Sequence, residues 1–356
     1  MKSEKYLALL KGKRGEFRAI KALDPLDNLS LLIEVPPVEC DLETGEPKKA
    51  TADHVSGYAG KIAAAWQVDR PIYVDTDQVD DESTGATSLI FEEARDLGLA
   101  VIPVASTEST GRQLGAVREV LQKDSRGVCI RIHVKTPDEL LTLGDAFVNV
   151  MGAIEVEPLD CDLVVDLGHF PHGVLEILKF AVRHQIDFIT GYGSWRSITL
   201  VGCGMPEVIP ISSNEHGSVR RLAWDLWNDV APVANSDIGF ADYGITNPEY
   251  LSFDPRKMTP AARIIYTSSN VWRIFKGRSL KKHGRGPQYR ILCQAIVEHD
   301  DYCGADFSWG DQYIYDCANG DGTSGSPEMM VSVGTNHHLT FVQHQLASSS
   351  VSLAVS

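Results

Sequence analysis

GVCIRIHV at residues 127–134, TPDELLTLGDAFVNVM at 136–151 and DLVVD at 162–166 are the stretches that decide the fold. The first and third are short and almost wholly apolar, which is typical of strands buried on both faces. Between them, Thr136 precedes Pro137 and two acidic residues, the pattern of a helix N-terminus, and the helix is expected to reach Met151. A strand, a helix and a second buried strand predict a parallel βαβ unit.

The same alternation extends in both directions from this unit. Further β-rich runs lie at residues 6–10, 29–35, 71–74, 99–104, 197–203 and 237–241, and helical patterns lie at 82–97, 110–123, 172–184 and 218–230. Eight such units within about 245 residues favour an α/β fold, a (β/α)8 barrel of the TIM type. The alternative is an open, doubly wound sheet, although no G-x-G-x-x-G follows an early strand.

The pattern changes after residue 254. Residues 263–266 and 271–275 flank Ser268-Ser269-Asn270 and predict a hairpin, and 287–299 predicts an amphipathic helix. A short helix through Cys317 and an apolar strand at 339–342 are expected to follow. We therefore predict a barrel at 1–254, a C-terminal α+β extension at 255–346 that packs on it as a cap, and a disordered tail at 347–356.

Composition limits the partners and the compartment. The formal net charge of −15 argues against a broad nucleic-acid surface, which needs an excess of Lys and Arg. No apolar run is long enough for a signal peptide or a membrane span, so no membrane association is expected. Seven cysteines, an odd number without a C-x-x-C pair, predict reduced thiols and a cytoplasmic location.

Polar residues end several of the predicted barrel strands. In a β/α barrel the carboxyl ends of the strands converge on one mouth. The residues expected at or just beyond these ends are Lys11, Glu34, Asp75, His133, Asp166, His169 and Asp242. Arg131 lies inside an otherwise apolar strand, where an unpaired charge would cost several kcal/mol, so Asp166 or Asp75 is expected to pair with it.

Two interpretations of Arg131 stay open at this stage. It either forms an internal Arg–Asp bridge that merely fills the barrel, or it holds an anionic substrate beside a carboxylate that acts as acid or base. Glu34, Asp75 and Asp166 also offer the oxygen ligands of Mg²⁺, Mn²⁺ or Ca²⁺, so a divalent cation is a further hypothesis. Only the segment 75–77 loosely resembles a metal-binding strand motif.

The tail contains the segment GTNHH at 334–338, with two adjacent imidazoles before the predicted strand. Because adjacent residues on a strand face opposite sides, only one of His337 and His338 is expected to point at a given site. One interpretation is a turn in which Asn336 satisfies backbone groups. The other is a polar rim, formed with Trp309 and Asp311, that closes over the barrel mouth.

Five motifs carry a resemblance to a known family. They are Tyr6-Leu-Ala-Leu-Leu-Lys11-Gly-Lys13-x-Gly15-Glu16, Asp242-Tyr243-Gly-Ile, Trp272-Arg273, Trp309-Gly-Asp311 and Val333-Gly-Thr-Asn-His-His338. With them the chain resembles the phage-type beta protein family over residues 6 to 346, although Met329-Met330 stands where we expect an aromatic residue. The resemblance implies members in bacteria and T-even phages, often among mobile-element or defence genes, and no firmly assigned activity.

We therefore expect an enzyme, or an enzyme-like component of a phage-defence or toxin system, that acts on an anionic, phosphorylated or nucleotide substrate. A hydrolase of the phosphodiesterase kind or a lyase would fit. The expected catalytic residues are Glu34, Asp75, Asp166, Asp311, His337 and His338, and the expected substrate-binding residues are Lys11, Arg131, His133, Asp242, Tyr243, Trp309 and Asn336. In these roles the carboxylates at the strand ends act as general base or metal ligands, and one histidine acts as general acid. The alternative is a non-catalytic binding or assembly subunit, working as a homo-oligomer or with a co-encoded protein partner.

Overall fold

A computed structural model describes residues 5–79, 85–250, 260–284 and 286–354 of the chain. In this part of the chain, eight parallel strands close into a barrel in which the last strand pairs with the first. The barrel strands are β1 (Tyr6–Leu10), β2 (Leu29–Glu34), β3 (Ile72–Asp75), β4 (Val101–Ser106), β5 (Val128–His133), β6 (Cys161–His169), β7 (Ser197–Cys203) and β9 (Ile238–Asp242). The predicted β/α barrel is thereby confirmed.

Alternation along each strand separates two buried layers. In β1, Leu7 and Leu9 pack inside the barrel, in a cluster that also includes Cys129 and Val164 from β5 and β6. Tyr6, Ala8 and Leu10 belong to the larger cluster between the strands and the surrounding helices. Because successive strand residues point to opposite faces, the parity of a residue number decides which layer it joins.

Helices surround the barrel and build the extension. They are α1 (Arg14–Lys21), α2 (Thr51–Val55), α3 (Tyr58–Ala65), α4 (Ala86–Asp96), α5 (Gly111–Asp124), α6 (Leu143–Ile154), α7 (Leu175–Tyr192), α8 (Leu222–Val230), α9 (Leu280–His283), α10 (Gly286–Val297), α11 (Trp309–Asn319) and α12 (Pro327–Ala354). Thr136 opens a 3-10 turn, Pro137–Thr142, and α6 begins after it. Residues 82–84 of one predicted helix lie outside the described residues. No described helix is long and apolar enough to cross a membrane.

A small antiparallel sheet forms the base of the extension. The predicted hairpin is confirmed as β10 (Ala261–Thr267) and β11 (Val271–Ser279), and β8 (His216–Arg220) pairs with β11. The expected helix from residue 218 is therefore wrong at its start. Residues 216–220 hydrogen-bond to the free edge of β11 as a strand with alternating exposure, and the helix begins only at Leu222.

The prediction of a strand at 339–342 is wrong, because these residues lie in the middle of α12. Leu339, Val342 and Leu346 recur at the helical spacing of three and four and pack in the core around the barrel. Met330 and Val333 lie at least one and a half turns earlier in the same helix, and they pack in the core of the extension. The helix therefore joins both cores, and it lies against α1, β1 and β10.

The division into a barrel, an extension and a tail stays a prediction. Its boundary at residue 254 lies outside the described residues, as do residues 355 and 356 of the expected tail.

Candidate functional site

Five side chains meet inside the barrel at the carboxyl ends of its strands. We call them the Arg131 network: Glu34, Asp75, Arg131, Asp166 and Tyr243. The Arg131 guanidinium donates from Nε and Nη2 to Asp166 at 2.8 and 2.6 Å, and from Nη1 to Asp75 at 2.7 Å. Nη1 also lies 2.8 Å from Glu34 Oε1, and Nη2 donates to the Tyr243 hydroxyl at 2.7 Å. The predicted convergence of charges from separate strands is therefore present.

Arg131 is buried and directed into this network. Its guanidinium makes four hydrogen bonds, from Nε, Nη1 and Nη2, and Nη1 also forms the ion pair with Glu34. The residue is 2% exposed. Arg131 therefore fixes the positions of the three carboxylates, while its expected role in holding a substrate anion stays a prediction.

Two carboxylates of the network are in opposite electrostatic situations. Burial raises the pKa of Glu34, and the neighbouring Asp75 carboxylate adds to this, although Arg131 works against it. Burial would also raise the pKa of Asp166, but the Arg131 guanidinium, the Tyr243 hydroxyl and the Gly168 amide together hold it below its usual range. Asp166 is therefore a fixed anion, while Glu34 is a carboxyl group that can hold a proton.

Lys11 and Tyr250 adjoin the outer side of Glu34. The Tyr250 hydroxyl donates to Glu34 Oε2 at 3.2 Å, and the Lys11 ammonium lies 4.3 Å from the centre of the Tyr250 ring. Lys11 also donates to the Glu249 carbonyl at 2.5 Å. Burial lowers the pKa of Lys11 to about 8, against the opposing attraction of Glu34. Lys11 and Glu34 therefore both contact Tyr250. The pKa of Lys11 is lowered and that of Glu34 is raised, so both move towards neutral pH.

A third group of this kind lies beyond Asp75. The Asp77 carboxylate accepts hydrogen bonds from the hydroxyls of Ser106 and Ser109, the latter at 2.7 Å. Burial and the charge of Asp75 raise the pKa of Asp77 to about 7. In addition, the amide of Asp77 donates to Asp75 Oδ1 at 3.0 Å, which fixes the two carboxylates relative to each other.

His133 completes the mouth on the side of β5. Its Nδ1 lies 3.9 Å from Asp166 Oδ2, and its buried Nε2 has no hydrogen-bond partner among the described residues. Burial and the charge of Arg131 lower the pKa of His133, so the ring is neutral at pH 7. A neutral imidazole with an open nitrogen can exchange a proton with a bound molecule.

The carboxylates at the mouth do not fit a metal centre. No group of three or more His, Cys, Asp or Glu within the described residues is arranged to hold a metal ion. The physical reason is that Arg131 occupies the position between Glu34, Asp75 and Asp166 that a cation would need. We therefore derive no chemistry from a divalent cation here.

Asp242 and His338 lie in a second cluster, on the other face of β9. Asp242 and Tyr243 are neighbours in sequence and point to opposite faces, so only Tyr243 reaches Arg131. His338 Nε2 faces both oxygens of Asp242 at 3.1 Å, and its Nδ1 lies 2.8 Å from the Thr267 hydroxyl. Burial lowers the pKa of His338, so the neutral ring donates to Asp242 and accepts from Thr267. The Tyr6 hydroxyl donates to Asp242 from β1 at 2.7 Å.

His337, Asp311, Asn336 and Trp309 form a third cluster between α11 and α12. His337 Nδ1 lies 2.8 Å from Asp311 Oδ2, and its Nε2 lies 2.9 Å from the Thr267 carbonyl oxygen. The two ring nitrogens therefore tie His337 to α11 on one side and to the backbone of β10 on the other. Asn336 accepts from the Gly310 amide at 2.9 Å and donates to the Ala19 carbonyl at 3.1 Å. Trp309 is half-buried beside Tyr313.

The expectation that the tail closes the barrel mouth is therefore wrong. His337 and His338 are fully buried, and each ring nitrogen contacts another buried group. Among the described residues, neither imidazole contacts the Arg131 network. The reason is that GTNHH belongs to a helix at the junction of both cores, so Asp311, Asn336, His337 and His338 fix the packing of α12.

Sequence reasoning missed two residues of the mouth. Tyr250 lies in a loop eight residues beyond β9, and no pattern indicates where such a loop folds. Asp77 could have been found, because the segment Asp75-Thr-Asp77 stands at the end of β3. The sequence analysis interpreted this segment as a loose metal-binding motif and not as an acid–base group.

Comparison with known proteins assigns the chain to a family. The family model described as Beta protein matches residues 6–344, which include the barrel mouth and both clusters around α12. No curated protein matches the chain. Since the matched segment covers nearly the whole sequence, this chain belongs to the Beta protein family.

Proposed function

We propose that this chain is an enzyme that performs acid–base chemistry on a small anionic substrate at the carboxyl end of the barrel. The observation that carries the proposal is the set of three groups whose pKa is moved towards neutrality: Glu34, Asp77 and Lys11. Proton transfer is most effective when the pKa of the donor lies near the working pH. Ionisable groups perturbed in this way concentrate at functional sites.

The carboxylates can divide the work because their environments differ. Glu34, whose protonated form is favoured by burial, would give a proton to a leaving group or take one from the substrate. Asp166 remains ionised and would stabilise positive charge that develops nearby. Arg131 would position both carboxylates. Hydrolysis and elimination both need such a pair, so a hydrolase or a lyase is the reaction class.

The anionic group of the substrate would bind at the outer edge of the site. Lys11 and Lys13 both lie over the Tyr250 ring, at 4.3 and 5.4 Å from its centre. Inside them the three carboxylates around Arg131 would repel an anion. A substrate with a phosphate or carboxylate at one end and a neutral reacting group at the other suits this arrangement.

The family resemblance adds a biological setting to the proposal, namely phage defence or a related conflict. All seven cysteines are free thiols, which supports a reducing compartment, and we propose the cytoplasm.

A panel of nucleotides, sugar phosphates and other small phosphate esters would test the enzyme proposal by turnover. Glu34→Gln should lower any wild-type rate about 100-fold or more, the usual contribution of a general acid or base. The matched control is Glu39→Gln, because Glu39 is exposed and pairs only with Lys48 in the described residues. Above pH 8, KM should rise as Lys11 loses its proton, and Lys11→Met should remove this limb of the pH profile. A turnover that survives Glu34→Gln unchanged would contradict the proposal.

A second candidate function, assembly, is favoured by an exposed apolar surface. Leu141, Val148, Ile177, Phe180 and Phe188 form what we call the α6–α7 strip, and Phe180 is 78% exposed. Phe188 packs so closely on Gly144 that a Cβ at that position would lie 2.5 Å from its ring, which joins the two helices into one surface. Large exposed apolar patches on a protein surface mark sites of interaction with another protein.

We propose a second copy of this chain as the occupant of the strip. Two packed helices with exposed apolar side chains would offer the self-complementary surface that an interface between two copies needs. Phe180→Asp should then convert a dimer into a monomer in analytical ultracentrifugation. Ile291→Asp, at an exposed apolar residue of α10, should leave the dimer intact. A monomeric wild type at all concentrations would refute assembly through this surface.

A further inference from the structure

A cavity lies at the end of the barrel opposite the Arg131 network, below the amino ends of the strands. It has a volume of about 760 Å³ and lies within the size range of small-molecule sites. Its wall includes the segment Gly193-Ser194-Trp195-Arg196, which directly precedes β7. Neither the Arg131 network nor the α6–α7 strip contributes to it.

The charge around this cavity is opposite to that of the whole chain. The ionisable side chains that line it are Lys5, Arg70, Arg126, Arg196, Asp162 and Asp237, four cations against two carboxylates. The chain as a whole carries a formal charge of −15. A local excess of two positive charges on an acidic protein attracts anions to this one end of the barrel.

One carboxylate is already neutralised within the wall. Arg196 donates from Nε to Asp162 Oδ2 at 3.0 Å and pairs with it through Nη2 as well. The Tyr73 hydroxyl donates to the same oxygen at 2.7 Å, and the Ser197 hydroxyl donates to Oδ1 at 2.6 Å. Asp162 is therefore satisfied by Arg196 and by its hydroxyl neighbours, and it is not directed at Arg70 or Arg126.

Arg70 holds positive charge without a carboxylate partner in the described residues, and Arg126 has only a weak one. Arg70 donates to the carbonyl oxygens of Leu26, Asp27 and Leu29 at 2.6 to 3.2 Å, and carbonyls orient a guanidinium without cancelling its charge. Arg126 lies 3.8 Å from Asp124, whose other oxygen is engaged by another arginine at 2.8 Å. Among the described residues, no carboxylate pairs with Arg70.

We propose that this amino-end cavity binds a small organic phosphate monoester, such as a nucleotide or a sugar phosphate. The phosphate carries close to two negative charges at pH 7, which suits the guanidiniums of Arg70 and Arg126, whereas a carboxylate carries one. Leu7, Ile102 and the Tyr73 ring line the cavity and provide an apolar contact for the organic part. Ser30 and Thr199 line it as well and offer hydroxyls to a sugar.

Isothermal titration of the full chain with AMP and with ribose 5-phosphate tests this proposal. At least one probe should bind, and adenosine or ribose should bind at least 10-fold more weakly than its phosphorylated counterpart. Arg126→Met should weaken binding of the phosphorylated probe at least 10-fold. Arg118→Met is the matched control, because Arg118 is an exposed arginine of α5 that pairs with Glu155 and does not line the cavity.

The outcomes also separate this cavity from the mouth. Glu34→Gln, at the other end of the barrel, should leave the titration unchanged. Absence of heat with both probes, equal affinity of Arg126→Met and the wild type, or loss of binding in Glu34→Gln would each overturn the proposal. Because Arg126 has a weak ion pair and a partly exposed side chain, its replacement should not unfold the protein, and a melting curve checks this.

Discussion

Replacement of Arg131 by methionine should destabilise the protein strongly at neutral pH. Methionine fills much of the same volume but leaves Glu34, Asp75 and Asp166 without the only cation that contacts all three in the described residues. Removing one partner from a buried ion-pair network costs about 3–5 kcal/mol, since the remaining charges stay buried without compensation. We expect a decrease of this size in the free energy of unfolding at pH 7.

The loss should shrink as the pH falls. In the wild type Arg131 holds the pKa of Asp166 below its unfolded value, so Asp166 contributes stability above about pH 3.9 that is lost below it. In Arg131→Met the strongest interaction that opposes burial is gone, so the pKa of Asp166 should rise above the unfolded value. The free energy of unfolding of the variant is then reduced at high pH, where Asp166 is a buried, unpaired anion. This loss becomes smaller as the pH falls through the raised pKa and Asp166 takes up a proton. The two proteins should therefore differ most near pH 7–8 and least near pH 4–5.

Urea unfolding followed by circular dichroism at pH 8, 7, 6 and 5 measures this difference directly. Arg118→Met serves as the control, because the exposed pair with Glu155 should be worth less than about 1 kcal/mol at every pH. Adding Asp166→Asn to Arg131→Met should restore part of the loss by removing one uncompensated charge. A loss that is independent of pH, or no larger than that of Arg118→Met, would refute the reasoning.

Three further predictions concern the packing around the barrel. Because the pKa of His338 is lowered in the folded protein, the unfolded chain takes up a proton below about pH 6.5 that the folded ring does not, and the free energy of unfolding decreases by up to about 1.4 kcal/mol for each unit that the pH is lowered. In urea unfolding, His338→Gln should lose less stability than the wild type between pH 6.5 and 5. An equal loss would contradict this prediction. Gly310→Ala should lower the melting temperature, at a cost of about 1–3 kcal/mol, because its Cβ would collide with a carbonyl of α12, whereas Gly115→Ala in α5 meets open space and should be neutral or stabilising. Gly12→Ala should lower the melting temperature more than Gly45→Ala does. Both glycines have positive φ, but only at Gly12 would the added methyl group also collide with neighbouring side chains. Equal melting temperatures would show that backbone strain alone matters.

The barrel was predictable because its signal is repeated and local. Each strand is a short apolar run, and the order of runs and helices leaves few ways to pair them in parallel. The position of Arg131 was predictable for the same reason. A charge within Val128–His133 must find a partner inside the barrel, and carboxylates at neighbouring strand ends were the available partners.

The role of Arg131 and the place of the tail were not predictable. Which groups the Arg131 guanidinium contacts depends on its distances to side chains from several other strands, and sequence spacing does not fix these distances. The segment at 334–338 lacks distinctive helix signals, because buried polar residues interrupt its apolar pattern. Asn336, His337 and His338 occupy core positions only because Asp242, Asp311 and backbone groups from other elements meet them there.

The motifs that carry the family resemblance therefore report mainly on the docking of α12, and less on chemistry. Asp242 and Tyr243 illustrate the division: the first holds His338 outside the barrel, and the second holds Arg131 inside it. Any movement of α12 would pull on Asp242 and so on the strand end that carries Tyr243. A substitution in the histidine pair should therefore act first on the packing of α12, and the chemistry that we propose at Glu34 and Lys11 lies elsewhere in the molecule.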